Sequence, residues 1–299
     1  MTAMLNSPQQ QVKADAKNQA MLASSTVTQA VTTQPTLDYF PYFFAAQLAT
    51  TAAEKQDTFR LRHAVYCEEL QFEPISDSGL EQDEFDKRSI HCFIKQLSSN
   101  SVAGTVRLIT AKNADDNLPI ELYCNNTAGN LSPKYFDHRE ICEISRLAVP
   151  ANLRRRIIAK NTNSTPLNTL LEKLETDCYS SIAVALYLIA TLISVKAGKH
   201  HAYVMIEPAL ARILRRVGIH FEKIGDCINF NGKRAPYYLD MRTVTTTLKP
   251  DYLTLHYLLA KQLGTQLSAV YPTSIVASPS YRSTPLTDIT LSEKSPTYS

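Results

Sequence analysis

The chain is poor in glycine, with 8 in 299 residues, well under half the usual share of about 7%. No two of them form G-x-G, so neither the dinucleotide turn G-x-G-x-x-G nor the phosphate loop G-x-x-x-x-G-K-[ST] is present. A glycine-rich nest therefore does not hold the ligand. Tryptophan is absent, and no charge sign dominates: 31 Lys+Arg against 28 Asp+Glu give a formal +3, which excludes nucleic-acid binding driven by bulk charge. The six cysteines (Cys67, Cys92, Cys124, Cys142, Cys178, Cys227) are widely spaced and contain no C-x-x-C pair. They read as reduced, mostly buried thiols, which favours a cytoplasmic protein without a disulfide framework. The first thirty residues lack an apolar core of the length a secretion signal needs. The uncharged stretch Cys178 to Val195, bounded by Asp177 and Lys196, is shorter than the roughly 20 residues of a membrane span and carries Ser180, Ser181, Thr191 and Ser194. A buried core helix is expected there. Peripheral membrane contact stays open.

What is present divides the chain into three. Residues 1 to 36 and 265 to 299 are Ser/Thr-rich, with Gln and Ala at the first end and Pro and Tyr at the second; flexible tails are expected. The folded region is then 37 to 264. Within it, Tyr42 to Leu48 suggests a strand and Thr50 or Thr51 a cap for a helix reaching about Leu70, with Phe59, Arg62, Tyr66 and Leu70 on one face. An acidic loop from Glu73 to Asp86 leads to a hairpin, Ile90 to Leu97 and Val102 to Thr110, and then to a strand from Ile141 that ends at Pro150. An apolar helix near 178 to 198 follows, then a short strand, Tyr203 to Ile206. A helix from Pro208 to Gly218, a strand pair at 219 to 224 and 235 to 241, and a helix at 250 to 263 complete the domain. The order predicts an α/β domain with a mixed sheet flanked by helices.

Six charged residues interrupt segments whose pattern predicts burial. Arg62 lies on an apolar helix face, Asp83 and Asp86 flank Phe85, Arg107 stands in the Val102–Thr110 strand, and Glu143 and Arg146 stand in the Ile141–Val149 strand. Three cations and three anions are able to neutralise one another away from water. Either they pin the acidic loop to the sheet or they form a binding site.

These residues resemble a known family. Phe59-Arg60-Leu61-Arg62-His63-Ala64-Val65-Tyr66, then Phe72, Glu81-Gln82-Asp83-Glu84-Phe85-Asp86, His91, Gly104-Thr105-Val106-Arg107-Leu108 and Glu143-Ile144-Ser145-Arg146-Leu147-Ala148-Val149 resemble, in order and interval, the acyl-homoserine-lactone synthases. The resemblance covers roughly residues 42 to 242. Phe72 stands where that family usually has Trp, and residues 150 to 177 look like an insertion. The end of the first helix, residues 65 to 69, and Leu147 to Pro150 running into Arg154-Arg155-Arg156 look more like the N-acyl amino acid synthases and the PEP-CTERM/exosortase system-associated acyltransferases.

The resemblance implies a GNAT-type (N-acetyltransferase-like) fold whose central sheet splays to admit a thioester arm. It implies acyl transfer from a carrier-bound acyl-phosphopantetheine thioester, a co-substrate rather than a bound cofactor, to an amine. Glu143 is then the candidate base and Arg146 its catalytic neighbour. Arg62, Asp83, Asp86 and Arg107 would order the acidic loop over the acceptor, with Tyr66 and Phe72 as pocket walls; ordinary core aromatics are the plainer reading of those two. The runs Arg154, Arg155, Arg156 and Arg212, Arg215, Arg216 are either solvated faces or a docking surface for acidic acyl carrier protein. Cys142 beside Glu143 invites an acyl-cysteine, but no base stands at a recognisable spacing, so direct transfer is expected. No metal site is expected from the histidines. Where acetyl-coenzyme-A transferases of this fold carry [RQ]-x-x-G-x-[GA], residues 150 to 158 hold three arginines and no glycine, which argues for a carrier-bound donor over free coenzyme A. The expected activity is transfer of a medium or long acyl chain to an amino acid or similar small amine. The alternatives are acyl-homoserine-lactone synthesis from S-adenosylmethionine and a non-catalytic acyl- or partner-binding protein.

Overall fold

The computed structural model describes residues 36 to 272, except 112, 114, 125, 126, 128, 156 to 164 and 230. Its central strands are buried in continuous runs, covered on both faces. Strands β1 (Phe44–Leu48), β2 (Ser89–Gln96), β3 (Val102–Thr110), β4 (Ile141–Ala148), β5 (His201–Ile206), β6 (Glu222–Lys223), β7 (Ile228–Asn229) and β8 (Lys233–Asp240) form one eight-stranded sheet. The strand order is β1-β2-β3-β4-β5-β8-β6, with β7 paired to β8. Every pairing is antiparallel except β4 with β5. That parallel step requires a crossover.

Helix α1 (Ala52–Arg62) begins at Thr51, whose side chain accepts from Glu54 N while Glu54 returns a bond to Thr51 N, a reciprocal cap. The periodic face expected as far as Leu70 stops at Arg62. From His63 to Glu69 the backbone is π-helical, and Leu70 N bonds back five residues to Val65 O. The wider turn re-aims Tyr66 toward β4, where its hydroxyl donates to Leu147 O at 2.7 Å.

The first strand starts at Phe44 rather than Tyr42, because Phe40–Phe43 is a short helix opened by Pro41. The insertion carries structure of its own. A helical turn at Ala151–Arg154 and α3 (Pro166–Tyr179) precede α4 (Ile182–Lys196), so the single apolar helix expected from 178 to 198 is two helices broken at Ser180-Ser181. The pair bends by 59°, and no single helix among the described residues is long and apolar enough to cross a membrane. Helix α4 packs flat on β3. Gly104 permits this, since a Cβ there would stand 3.0 Å from Leu186 Cδ1 and 3.1 Å from Ile182 Cγ2.

Helix α2 (Pro119–Tyr123), not foreseen in the sequence, packs beside β5. Helix α5 (Pro208–Val217) ends at Gly218, whose φ of +101° and contact with Thr247 O exclude a side chain. Helix α6 (Pro250–Val270) runs six residues into the stretch expected to be a tail. The reason is the edge of β1. Gln262 accepts from Ala46 N and donates to Phe44 O, and Gln266 accepts from Leu48 N, so two glutamines satisfy backbone groups that an edge strand leaves open. Buried Leu263 and Leu267 hold the helix there.

The sheet thus has two faces. One carries Val106, Cys142 and Ile144 against α4, with α6 over β1, and the other carries His91, Arg107 and Ser145 toward α1 and the acidic loop and Glu143 toward α2. Gly104→Val should lower the free energy of unfolding by about 1–3 kcal/mol through overpacking against α4, measured by urea denaturation; an unchanged midpoint would contradict the packing described.

Candidate active site

Pairing between β4 and β5 ends at Ile144 with Val204, whereas β4 continues beside β3 to Ala148 and β5 beside β8 to Ile206. The two parallel strands therefore part at mid-sheet. The β3–β4 register also slips, so that Arg107 faces Ser145 but Thr105 faces Ala148, leaving Arg146 and Leu147 opposite Val106 alone. Arg146 occupies the left-handed region at φ +49° in this bulge. A cavity of about 540 Å³ opens at the gap.

Its walls differ in chemistry. Glu73 and Asp83 from the acidic loop, with Arg107, Glu143 and Arg146, line it with charge. Leu147, Tyr187, Val204, Ile206 and Leu210 supply apolar surface, and Tyr66 and Phe72 add aromatic rings. Of the apolar helix expected to wall an acyl tunnel, only Tyr187 of α4 reaches the cavity; Leu186, Leu188 and Ile189 are fully buried core.

The six charged residues singled out in the sequence divide into a network of five and one outlier. Arg62, 1% exposed, grips Asp86 bidentately at 2.7 and 3.1 Å and Glu81 at 2.5 Å. Arg107 binds Asp83 at 2.5 Å, Asp86 at 2.8 Å and the Ser145 hydroxyl at 3.0 Å. Arg146 reaches Glu81 at 3.0 Å, Glu73 at 3.1 Å and Asp83 at 3.3 Å, and stacks over Tyr66. Burial alone would raise the Asp86 carboxyl; the Arg62 guanidinium, helped by Arg107, holds it far below the usual carboxylate range. His91, beside Asp86 and edge-on to Phe59, is driven by burial down to about 4, so it is neutral at pH 7.

Glu81 and Glu73 complete this network, although the sequence marks them only as members of the acidic loop. Arg62 and Arg107 thus hold two carboxylates each and Arg146 three, which ties the acidic loop to the sheet.

Glu143 stands outside the network, 3% exposed, and its Oε2 accepts from Ile120 N at 2.8 Å at the start of α2. Burial pushes its carboxyl up to about 8 against the lowering effects of that bond and of Arg107. It therefore keeps its proton to higher pH than an ordinary carboxyl and, once ionised, is a better base than one. Cys142 points to the opposite face of β4, fully buried near Ser194, and burial raises its thiol to about 12. A thiol so placed supplies no nucleophile to the cavity.

Of the basic runs, Arg154 is braced by Glu69 at 2.6 Å and by Val149 O at 2.7 Å, while Arg155 is exposed and Arg156 lies outside the described residues. Arg212, Arg215 and Arg216 are exposed along the outer face of α5, whose inner residue Leu210 lines the cavity.

Removing one member of the network leaves its partners buried and unpaired. Arg62→Ala should cost about 3–5 kcal/mol in urea denaturation. The Asp86 carboxyl is lower in the folded than in the unfolded chain, so its stabilisation is present above about pH 4 and lost as the pH falls further. Asp86→Asn should be less stable at pH 7 and lose less on acidification than the parent; an unchanged acid limb would contradict that assignment.

Residues 61–162 match the Acetyltransferase (GNAT) domain family. An acyl-homoserine-lactone synthase from Aeromonas salmonicida is 28% identical over 103 residues, which is 34% of this chain and 47% of that protein; the match thus spans about half of the relative's length. Among solved structures, TofI in a ternary complex with an inhibitor and MTA is 15% identical with a TM-score of 0.49, covering 70% of this chain and 98% of that one. FeeM, an N-acyl amino acid synthase from uncultured soil microbes, is 13% identical with a TM-score of 0.47, covering 70% of this chain and 97% of that one. The chain has the GNAT fold, and in sequence it resembles the acyl-homoserine-lactone synthases.

Proposed function

We propose that the protein is an acyltransferase that moves a medium or long acyl chain from a carrier-protein thioester to the amine of an amino acid or similar small acceptor. The observation that carries this reading is the parting of β4 from β5, with buried Glu143 and apolar side chains both lining the gap. Splayed strands give a thioester arm a path into the sheet, and the apolar side chains suit its acyl chain.

In the proposed reaction the neutral amine attacks the thioester carbonyl carbon. The C–N bond forms, the carbonyl electrons move to oxygen, and their return breaks the C–S bond and releases the thiolate. Ionised Glu143 takes the proton the amine sheds, and that proton passes to the departing thiolate, which leaves as the thiol and returns Glu143 to its ionised form. An α-amino group of pKa about 8 is mostly protonated at pH 7, so a base matched to it has the greatest effect near that pH. The acidic loop, locked by three arginines, forms one side of the acceptor's seat. Exposed Arg212, Arg215 and Arg216, on the helix that borders the cavity, suit an acidic carrier protein. The same geometry fits acyl-homoserine-lactone synthesis, which the sequence relative favours; that reaction would release methylthioadenosine, whereas amino acid acylation frees only the carrier thiol.

Purified protein should give N-acylated products, read by mass spectrometry, when offered carrier-bound and coenzyme A thioesters of matched chain length with a panel of acceptors. Absence of product with every pair would overturn the proposal, and equal or better use of coenzyme A would overturn the choice of donor. The rate should rise with pH through about 8 as Glu143 ionises, and Glu143→Gln should lose roughly 100-fold or more. Stability should respond in the opposite sense. The folded pKa lies above the unfolded one, so the stabilisation Glu143 confers is complete below about 4.5 and lost as the pH rises through about 8. Glu143→Gln keeps an acceptor for Ile120 N and should outlast the parent at pH 9 in thermal unfolding. Reversing Arg212, Arg215 and Arg216 to Glu should slow transfer from the carrier protein and flatten its salt dependence; no change in either would remove the docking role.

A further inference from the structure

Of the three arginines that line the cavity, Arg234 is the one in no ion pair among the described residues. It stands on β8 just past the Asn231-Gly232 turn, where both residues have positive φ, and pairs in register with Ile228. Its guanidinium carbon lies 5.7 Å from the Phe72 ring centroid, so the aromatic face fixes the plane of the fork. The Nε is buried and donates to no acceptor among the described residues. By contrast, Arg107 and Arg146 in the same cavity hold two and three carboxylates respectively. Glu207 also lines the cavity without pairing to Arg234.

A buried donor left without a partner costs free energy in the folded protein, and a planar fork is the group best suited to grip a carboxylate. The cavity also carries both signs of charge. Carboxyl groups of Glu73, Asp83 and Glu143 come from the acidic loop and β4, and Arg234 comes from the β7–β8 hairpin, where the Glu207 carboxylate lies 3.9 Å from the position of a Gly232 Cβ without pairing to the fork. A small zwitterion satisfies both signs at once, its amine toward Glu143 and its carboxylate toward the fork.

From this we infer that Arg234 binds the carboxylate of an α-amino acid acceptor and thereby sets acceptor specificity. The inference rests on the acyl-transfer reading, but its first test does not require turnover. The full-length protein, Arg234→Gln and Arg234→Lys are titrated by calorimetry with the twenty L-amino acids and with the carboxamide of each one that binds. The parent should bind at least one amino acid, and its carboxamide about 10- to 100-fold more weakly. Arg234→Gln should abolish that discrimination with an unchanged melting temperature, and Arg234→Lys should restore part of it. Binding of acid and amide alike in the parent, discrimination that survives in Arg234→Gln, or no amino acid binding at all would overturn the inference.

Kinetics separate the remaining outcomes. A raised KM for the amino acid with an unchanged KM for the acyl donor supports the assignment. A raised KM for the donor alone means that the fork reads the donor's phosphate, and the inference falls. Discriminating binding without acyl product would overturn the proposed function and leave the carboxylate site standing. Product formation indifferent to Arg234 would do the reverse.

Discussion

Two guanidinium groups, those of Arg62 and Arg107, are almost fully withdrawn from water, and the shape of the cavity depends on how their charge is met. A buried charge is tolerated only with close, well-directed counter-charges. Here they come from a loop that has little regular structure of its own. Glu73, Glu81, Asp83 and Asp86 are drawn onto the sheet by three arginines that reach from α1, β3 and β4. The loop is thereby ordered without an apolar core beneath most of it. Phe85 is its one large buried apolar anchor, and Asp83 with Asp86 also forms a reciprocal helix cap around it.

The same network accounts for the strand geometry beside it. Arg146 can reach Glu73, Glu81 and Asp83 from the bulge in β4, where its backbone adopts a conformation uncommon for a residue with a side chain. That bulge lies where β4 and β5 part. The cost of the irregular strand is offset by the ion pairs it enables, and the result is a cavity in which the buried carboxyl group of Glu143 is left outside the network. Excluding Glu143 from the ion pairs is what keeps its pKa high. Structural and chemical acids thus lie side by side, separated by whether a guanidinium reaches them.

Much of this was legible because it is local. Thr51 and Glu54 state a helix start, the hairpin of β2 and β3 follows from apolar runs parted by a polar loop, and Gly218 marks a helix end. Charged residues in apolar surroundings, Arg62, Arg107, Glu143 and Arg146, identified the site because burial of a charge demands a reason. Three features escaped. The π-helical turn at His63–Glu69 changes the period that the face from Phe59 to Leu70 assumed. Residues past Thr265 look like a polar tail until Gln262 and Gln266 are seen on the open edge of β1. Arg234 sits in an Asn-Gly-Lys-Arg turn that reads as an ordinary exposed hairpin.

The sequence by itself determined the α/β pattern, the absence of a glycine nest, and which charged side chains would leave water, since each depends on neighbours a few residues away. Only the tertiary structure decided how those charges are shared. Pairing is set by distances between atoms far apart in the chain, as between Arg146 and Glu73 or Arg62 and Asp86. It therefore took the fold to separate the arginines that hold the loop from Arg234, and the carboxylates that are neutralised from Glu143, whose burial without a cation raises its pKa toward that of an amine.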